Sequence, residues 1–262
     1  METPQCDVSI VYYPRFYLSQ KAHNKPLRQA QNMTNLRSRN AQIEQLILSR
    51  DLPTLLRTLQ SLSHSEFRET SRQLAETILP AHHECFWEVF SYIVPTNSRA
   101  YLGTFLKAAT TIVKRQGEDF LLHPFLAQYA VEQANQIDRQ KCLEALLPVA
   151  KRTQSVEYLL QHLSSDDLSA TAISLYRAGT PLAYYHLFKY LKTIEDDIPT
   201  LRRYALAMIK RGDSLSFNMA RVIQDYFALD NLPATFSMRL QPYQLARLDQ
   251  SVDGFLSIVG GM

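Results

Sequence analysis

The sequence predicts an all-α protein of about 12–13 short helices that follow one another as αα-hairpins. Glycine is scarce, with 7 in 262 residues, and because glycine weakens helix interiors its scarcity favours helix. Apolar residues recur at intervals of three and four, and Ser, Thr or Asp begins segments that Gly or Pro ends. These three patterns indicate helices that each have one face to bury.

The first 35 residues differ from the rest of the chain. Val8–Tyr17 is rich in β-branched and aromatic residues, which predicts a short extended segment. Val8–Ile43 holds six basic residues and no acidic one, whereas Glu44–Met262 holds 22 basic and 23 acidic residues. We therefore predict an extended basic arm or linker over residues 1–35, followed by a single helical-repeat domain over residues 36–262.

Helix start and stop signals divide this domain into consecutive segments. Asp51, Ser98, Asp138 and Thr180 mark starts, and glycines mark several of the stops. The predicted helices cover residues 36–50, 52–63, 65–79, 81–94, 98–116, 124–136, 138–152, 155–163, 165–178, 181–194, 198–211 and 214–228. Residues 231–262 predict an irregular C-terminal cap, in which Pro242 begins a last helix and an apolar patch follows.

The connections are short, so neighbouring helices should run antiparallel, which favours a curved superhelix over a four-helix bundle. The stops of the fifth, seventh, ninth and eleventh helices recur at irregular intervals of 26 to 36 residues. The pattern is similar to that of right-handed HEAT, armadillo or tetratricopeptide solenoids, as a class. The tetratricopeptide pattern itself is absent, because Thr171, Leu175 and Ala178 occupy the positions at which that pattern has Trp, a small residue and Tyr.

Basic residues gather at the ends of the odd-numbered predicted helices. In an αα-solenoid these ends share one edge, and the predicted basic rim consists of Lys114, Arg115, Lys151, Arg152, Arg177, Lys210 and Arg211. The opposite edge collects Asp138, Asp166, Asp167, Glu195, Asp196, Asp197 and Asp230. Cations at the C-terminal ends of helices and acids at the N-terminal ends complement the helix dipole without any ligand. The basic residues can therefore be explained by dipole complementation alone or by a rim that binds a partner.

Two aromatic clusters are candidates for contact with a partner. The tenth predicted helix is aromatic on nearly all sides, which is typical of a buried helix, but Tyr184, Tyr185 and Phe188 could also anchor a partner peptide. Its aromatic residues are Tyr184, Tyr185, His186, Phe188 and Tyr190. In the basic arm an aromatic cluster with Arg15 could stack on single-stranded nucleic acid or pack on helices. This cluster consists of Tyr12, Tyr13, Phe16 and Tyr17.

No metal or cofactor site is predicted. His82 and Cys85 are spaced to donate two ligands, but the residue four places after His83 is Trp87, so the histidine pair of a zinc protease is absent. No glycine-rich phosphate loop or nucleophile elbow occurs. We therefore expect neither a metal nor a cofactor.

Charge and cysteine usage bound the setting in which the protein works. The net charge of +3 is small, so it provides no global argument for nucleic acid or membrane. Cys6, Cys85 and Cys142 are far apart and form no disulfide framework. The N-terminus has no signal-peptide pattern, and no run is long enough to span a membrane, so we expect the cytoplasm and no membrane partner.

Three functional hypotheses follow from these patterns. The first is a non-catalytic helical-repeat protein that acts as a protein–protein interaction module or scaffold. The second is a nucleic-acid-associated repeat protein that uses the basic rim and the arm. The third is an enzyme whose site is assembled from side chains far apart in the sequence.

Overall fold

The computed structural model describes residues 35–96, 98–230, 232 and 239–260, except for the side chains of residues 98 and 99. Helices are the only regular secondary structure in the described part of the chain, which contains no strand, and this confirms the predicted all-α class. The predicted arm lies almost wholly outside the described residues.

Fourteen α-helices lie within these residues. Helix α1 covers residues 35–48. Helix α3 starts as His64–Gln73 and continues through a π-helical turn, Leu74–Ile78, into Leu79–Ala81. The others are α2 (Leu52–Gln60), α4 (Phe86–Thr96), α5 (Ser98–Gln116), α6 (Pro124–Glu132), α7 (Gln136–Leu146), α8 (Thr153–Leu163), α9 (Leu168–Ala178), α10 (Pro181–Thr193), α11 (Ile198–Arg211), α12 (Ser214–Tyr226), α13 (Pro242–Gln250) and α14 (Val252–Val259). Each of the twelve predicted helices overlaps one of α1–α12.

The helix ends form where the sequence provides capping side chains. Asp51, Thr180 and Asp197 each accept a hydrogen bond from a backbone N–H of the first turn that follows. Gly179 and Gly212 end α9 and α11 in the left-handed conformation, with φ of 60° and 80°. Local capping chemistry therefore accounts for most of the agreement with the predicted boundaries.

Two predicted boundaries were wrong because proline and a tight turn interrupt the helices. Helix α7 ends at Leu146 rather than residue 152, since Pro148 removes a backbone donor and crowds the preceding turn, leaving a 3₁₀ turn over Leu147–Val149. Helix α4 begins at Phe86 rather than residue 81, after a 3₁₀ turn at His83–Cys85. The start of α7 is capped by Asn135 rather than by Asp138.

Contacts between helices two positions apart join the helices into two rows. One row runs through α2, α4, α6, α8, α10 and α12, and the other runs through α3, α5, α7 and α9. A hydrogen bond from the Tyr176 hydroxyl to the carbonyl of Ala207 (3.2 Å) joins α9 to α11. Consecutive helices such as α4 and α5 or α9 and α10 pack across the two rows.

Side-chain contacts along the rows recur at a nearly constant separation in the sequence. Nine hydrogen bonds within the described part of the chain join residues 31 to 35 positions apart. The pairs are Glu76–Lys107, Glu118–Arg152, Asp119–Arg152, His123–Tyr158, Glu144–Arg177, Tyr176–Ala207, Tyr176–Arg211, Arg177–Arg211 and Tyr184–Ser216. Successive helix pairs are therefore held to one another by contacts of similar sequence spacing.

Helices α13 and α14 cover the far end of the described chain. Phe255 of α14 is buried against the rings of Tyr185 and Phe188, with ring centroids 5.5 and 5.4 Å apart. The Asn218 side chain donates to the carbonyl of Val259 (3.0 Å). The apolar patch predicted at the C-terminus therefore closes the last helices of the stack.

No helix among the described residues is both long and apolar enough to cross a membrane.

Asp225 anchors the approach to α13, and its loss should destabilise this end of the chain. Its buried carboxylate accepts hydrogen bonds from the Arg239 guanidinium (2.8 Å) and the backbone N–H of Leu240 (2.6 Å). Asp225→Ala leaves that N–H without its acceptor, so we expect a loss of roughly 1–3 kcal/mol in urea unfolding. Asp253→Ala removes an exposed carboxylate that has no ion pair or side-chain hydrogen bond within the described residues, so it should change stability far less. Equal effects would contradict the anchoring role.

His186 should make stability fall in mild acid. It is buried on α10, its Nε2 has no hydrogen-bond partner among the described residues, and burial together with the nearby Lys189 charge lowers its pKa to about 4. Glu157 opposes this shift. The unfolded imidazole titrates near 6.5, so the unfolded chain binds more protons and stability is lost as pH falls from about 6.5 towards 4.

The corresponding test compares urea unfolding at neutral pH and near pH 4.5. Between these two pH values the free energy of unfolding of His186→Gln should fall by roughly 2–3 kcal/mol less than that of the wild-type chain. His64→Gln changes an exposed histidine at the start of α3 and should keep the wild-type pH dependence. An unchanged pH dependence in His186→Gln would show that the buried imidazole is not responsible.

Candidate basic rim

The seven predicted rim residues lie at the ends of α5, α9 and α11 and in the connection between α7 and α8. Lys114 and Arg115 are in the last turn of α5, Arg177 is in that of α9, and Lys210 and Arg211 are in that of α11. Because α7 ends early, Lys151 and Arg152 lie beyond its end, immediately before α8. All seven side chains are exposed.

The end of α5 and the α7–α8 connection meet at a surface pocket of about 470 Å³. Lys114 lines one side of this pocket, and Lys151 and Arg152 line the other, with Pro148 and Val149 providing apolar surface. Gly117 also lines the pocket, with a φ of 101° that a residue with a side chain rarely adopts. Lys114 thus shares one pocket with Lys151 and Arg152, which lie 37 and 38 positions later in the sequence.

Acidic side chains hold Arg152 in place at this pocket. The buried carboxylate of Glu118 accepts a hydrogen bond from the backbone N–H of Arg152 (2.9 Å), at the start of α8. The exposed carboxylate of Asp119 accepts one from the Arg152 guanidinium (2.9 Å). A carboxylate at a helix start also complements the helix dipole, so both acids contribute to the local fold.

Two further rim arginines also have partners within the chain. Arg177 forms an ion pair with Glu144 of α7. Arg211 donates to the carbonyl of Tyr176 in the last turn of α9 (2.8 Å) and pairs with Asp213 (3.1 Å). Because the Arg211 guanidinium satisfies a helix-end carbonyl, dipole and hydrogen-bond complementation accounts for its position.

The remaining four cations of the rim have no such partner. Lys114, Arg115, Lys151 and Lys210 are exposed, and none of them forms an ion pair or a side-chain hydrogen bond within the described part of the chain. A cation complements the helix dipole even when its side chain is not held by a partner. The charges of these four side chains therefore stay available to an anionic ligand. We call these four residues the free rim cations.

The structure places the predicted aromatic residues of α10 mostly in the core. Tyr184 is buried, its hydroxyl is 2.8 Å from the Ser216 hydroxyl, and burial raises its pKa. Phe188 is also buried, and Tyr185 is half-buried beside Phe255. In this arrangement the cluster holds α10 against α12 and α14.

The histidine–cysteine segment before α4 makes local contacts. The Nε2 of His82 is 2.8 Å from a carboxylate oxygen of Glu44, and Cys85 is buried. Within residues 35–96, 98–230, 232 and 239–260, no three His, Cys, Asp or Glu side chains are placed to hold a metal ion.

Comparison with protein-family models, with curated proteins and with solved structures finds no match to this chain.

The contact between Arg211 and the end of α9 gives a prediction for Gly179. An added Cβ at Gly179 would lie 2.1 Å from the Arg211 guanidinium, whereas an added Cβ at Gly212 meets no atom closer than 4.0 Å. Both glycines are left-handed, so each Ala substitution should cost roughly 1–2 kcal/mol. Gly179→Ala should cost more, because it also displaces Arg211.

A double-mutant cycle in urea unfolding isolates this coupling. In an Arg211→Ala background the additional cost of Gly179→Ala should disappear, while the cost of Gly212→Ala should stay. Additive effects of Gly179→Ala and Arg211→Ala would contradict the capping contact.

Proposed function

We propose that the chain is a curved αα-hairpin superhelix of the HEAT, armadillo or tetratricopeptide type. Two observations support this architecture. The helices form two rows in which each helix contacts the one two positions away, and hydrogen bonds along the rows join residues 31 to 35 positions apart. Stacked helical hairpins have both properties, since each repeat contacts only its neighbours.

We propose further that the protein is a non-catalytic interaction module or scaffold whose basic rim binds an acidic segment of a partner protein. The observation that carries this proposal is the division of the rim into held and free cations. Arg152, Arg177 and Arg211 are held by groups within the chain, whereas the free rim cations have none. The three arginines that already have partners stabilise the fold at this edge. The free rim cations have no internal ion pair to break, so they can pair with a ligand at little cost in desolvation.

The layout of the rim favours an acidic protein over a nucleic acid. Glu118, Asp119 and Asp213 lie among the rim cations, and these carboxylates would repel a continuous phosphate backbone. A protein segment can instead place single carboxylates at the free cations. The alternative, binding of nucleic acid by the rim and the N-terminal arm, rests on the same cations and on residues outside the described part.

We place the protein in the cytoplasm. Cys85 and Cys142 are both unpaired and buried, which suits a reducing compartment.

The proposal is tested by binding of a fluorescent glutamate-rich peptide to the full chain, measured by anisotropy at several salt concentrations. Replacement of the free rim cations (Lys114→Ala, Arg115→Ala, Lys151→Ala and Lys210→Ala) should weaken binding roughly tenfold or more, because four attractive charges are lost. The salt dependence of binding should fall with it.

A matched control removes the same number of positive charges elsewhere. Arg37, Arg68, Arg203 and Arg247 are exposed and form no ion pair among the described residues, so their replacement by Ala should change binding by less than about twofold. Equal losses of affinity in the two variants would show that binding depends only on net charge, and would contradict a binding site at the rim. Tighter, rim-dependent binding of a single-stranded oligonucleotide would favour the nucleic-acid alternative.

A further inference from the structure

The edge opposite the basic rim carries a line of exposed apolar side chains. It forms where the even-numbered helices end and the odd-numbered ones begin. Val131 at the end of α6, Ile137 in α7, Leu168 in α9 and Ile198 in α11 are 61%, 54%, 61% and 41% exposed. Together with Asp166, Glu195 and Asp196 they define what we call the acidic–apolar edge.

Contacts between the odd-numbered helices place these residues in register. Gln136, beside Ile137, donates to the hydroxyl of Ser165 in the connection before α9 (2.8 Å). A hydrogen bond joins the Tyr176 hydroxyl of α9 to the Ala207 carbonyl of α11. Tyr176 lies eight residues after Leu168, the first residue of α9, and Ala207 lies nine residues after Ile198, the first residue of α11. The starts of α7, α9 and α11 therefore lie side by side, in steps of about 8–10 Å for packed helices.

Helix formation does not require apolar residues at these positions. The starts of α7, α9 and α11 are capped by the side chains of Asn135, Asp167 and Asp197, each of which accepts a backbone N–H. Leu168 and Ile198 follow their caps directly and leave much of their surface in water. A line of such side chains marks an interaction surface more often than single exposed residues do.

The line of apolar side chains leads to an apolar pocket at α11. Ile198, Pro199 and Leu206 line this pocket, which has a volume of about 430 Å³. Arg202 and Arg203 lie at its sides, and the Arg202 guanidinium donates to the carbonyl of Asp230 (3.0 Å). The pocket can receive one large apolar side chain.

Exposed acidic residues lie beside the line at the connections before α9 and α11, while Arg202 and Arg203 lie at the α11 pocket. Asp166, Glu195 and Asp196 are exposed, and within the described residues their side chains form no ion pair or hydrogen bond. The nearby Arg139 donates to the carbonyls of Ala134 and Val131, so it does not offset these acids by pairing with them. The edge therefore suits a ligand that is both apolar and basic.

We propose that the acidic–apolar edge binds a basic amphipathic helix of a partner protein, which lies across the starts of α7, α9 and α11. Seven residues of an α-helix span about 10.5 Å, close to the step between packed helices. A helix with an apolar residue at every seventh position can therefore meet Ile137, Leu168 and Ile198 in turn. Basic residues beside that line would face Asp166, Glu195 and Asp196.

This surface is separate from the basic rim, and its test separates the two. The probe is a fluorescent peptide of about 22 residues, with leucine at every seventh position on an alanine–lysine background. It is titrated into the full chain and followed by anisotropy and by the helical signal in circular dichroism. We expect saturable binding with a gain of helix.

Replacement of the apolar line by Ile137→Gln, Leu168→Gln and Ile198→Gln should weaken binding roughly tenfold or more. Leu48→Gln and Tyr243→Gln remove exposed apolar side chains elsewhere and should leave affinity unchanged, as should replacement of the free rim cations. Asp166→Asn, Glu195→Gln and Asp196→Asn together should weaken binding and reduce its salt dependence. Thermal unfolding of each variant checks that it folds.

Three results would overturn the proposal. They are no binding of the peptide to the wild-type chain, equal binding of a peptide in which glutamine replaces leucine, and an unchanged affinity in the folded triple-glutamine variant. The second result would reduce the interaction to charge attraction alone.

Discussion

Each helix in the two rows has to be covered from two directions. Its hairpin neighbour covers one part of the apolar face, and the helix two positions away along the chain covers another. Phe86 of α4 is fully buried and contacts Phe105 of α5 as well as Phe120 beyond it. Contacts at separations of 31 to 35 residues join helices that are not neighbours in the sequence, and the fold of the described residues depends on them.

The same packing decides where charged helix ends meet. The C-terminal turns of α7, α9 and α11 lie together at one edge, joined by the Glu144–Arg177 ion pair and the Arg211–Tyr176 hydrogen bond. The start of α7 and the connection before α9 lie together at the other edge, joined by the Gln136–Ser165 hydrogen bond. Cations suit the first edge and acids the second, because both complement the helix dipole. The basic rim and the acidic–apolar edge thus begin as consequences of helix direction, and only the groups left without partners need a further explanation.

In the basic rim, some cations have partners within the chain and others are available to a ligand, and the chemistry of each side chain contributes to this difference. The planar guanidinium of Arg211 can reach a carbonyl of α9 and also pair with Asp213. Lys114 and Lys151 face a pocket without an ion-pair partner among the described residues. Under the two proposals the protein would present one edge to an acidic partner and the other to a basic helix, as a scaffold that joins two proteins does.

The sequence by itself determined the helices and most of their ends. Capping by Asp51 or Thr180, and the left-handed stops at Gly179 and Gly212, depend on residues a few positions apart, so local chemistry is enough. It also located five of the seven rim cations in the last turns of α5, α9 and α11, whereas Lys151 and Arg152 lie beyond the end of α7. The end of α7 at Leu146, two residues before Pro148, is local too, but the basic pair at residues 151–152 resembles a helix stop and predicts a later end.

Only the tertiary structure decided which of these residues have partners. Arg177 finds Glu144, Arg211 finds the end of α9, and Glu118 holds the backbone of Arg152, each across more than thirty residues. Likewise, helical spacing cannot tell whether Tyr184 faces a partner or the core, because both need an apolar face. The physical reason is that pairing depends on how helices far apart in the sequence pack against one another, which periodicity within a single helix does not encode.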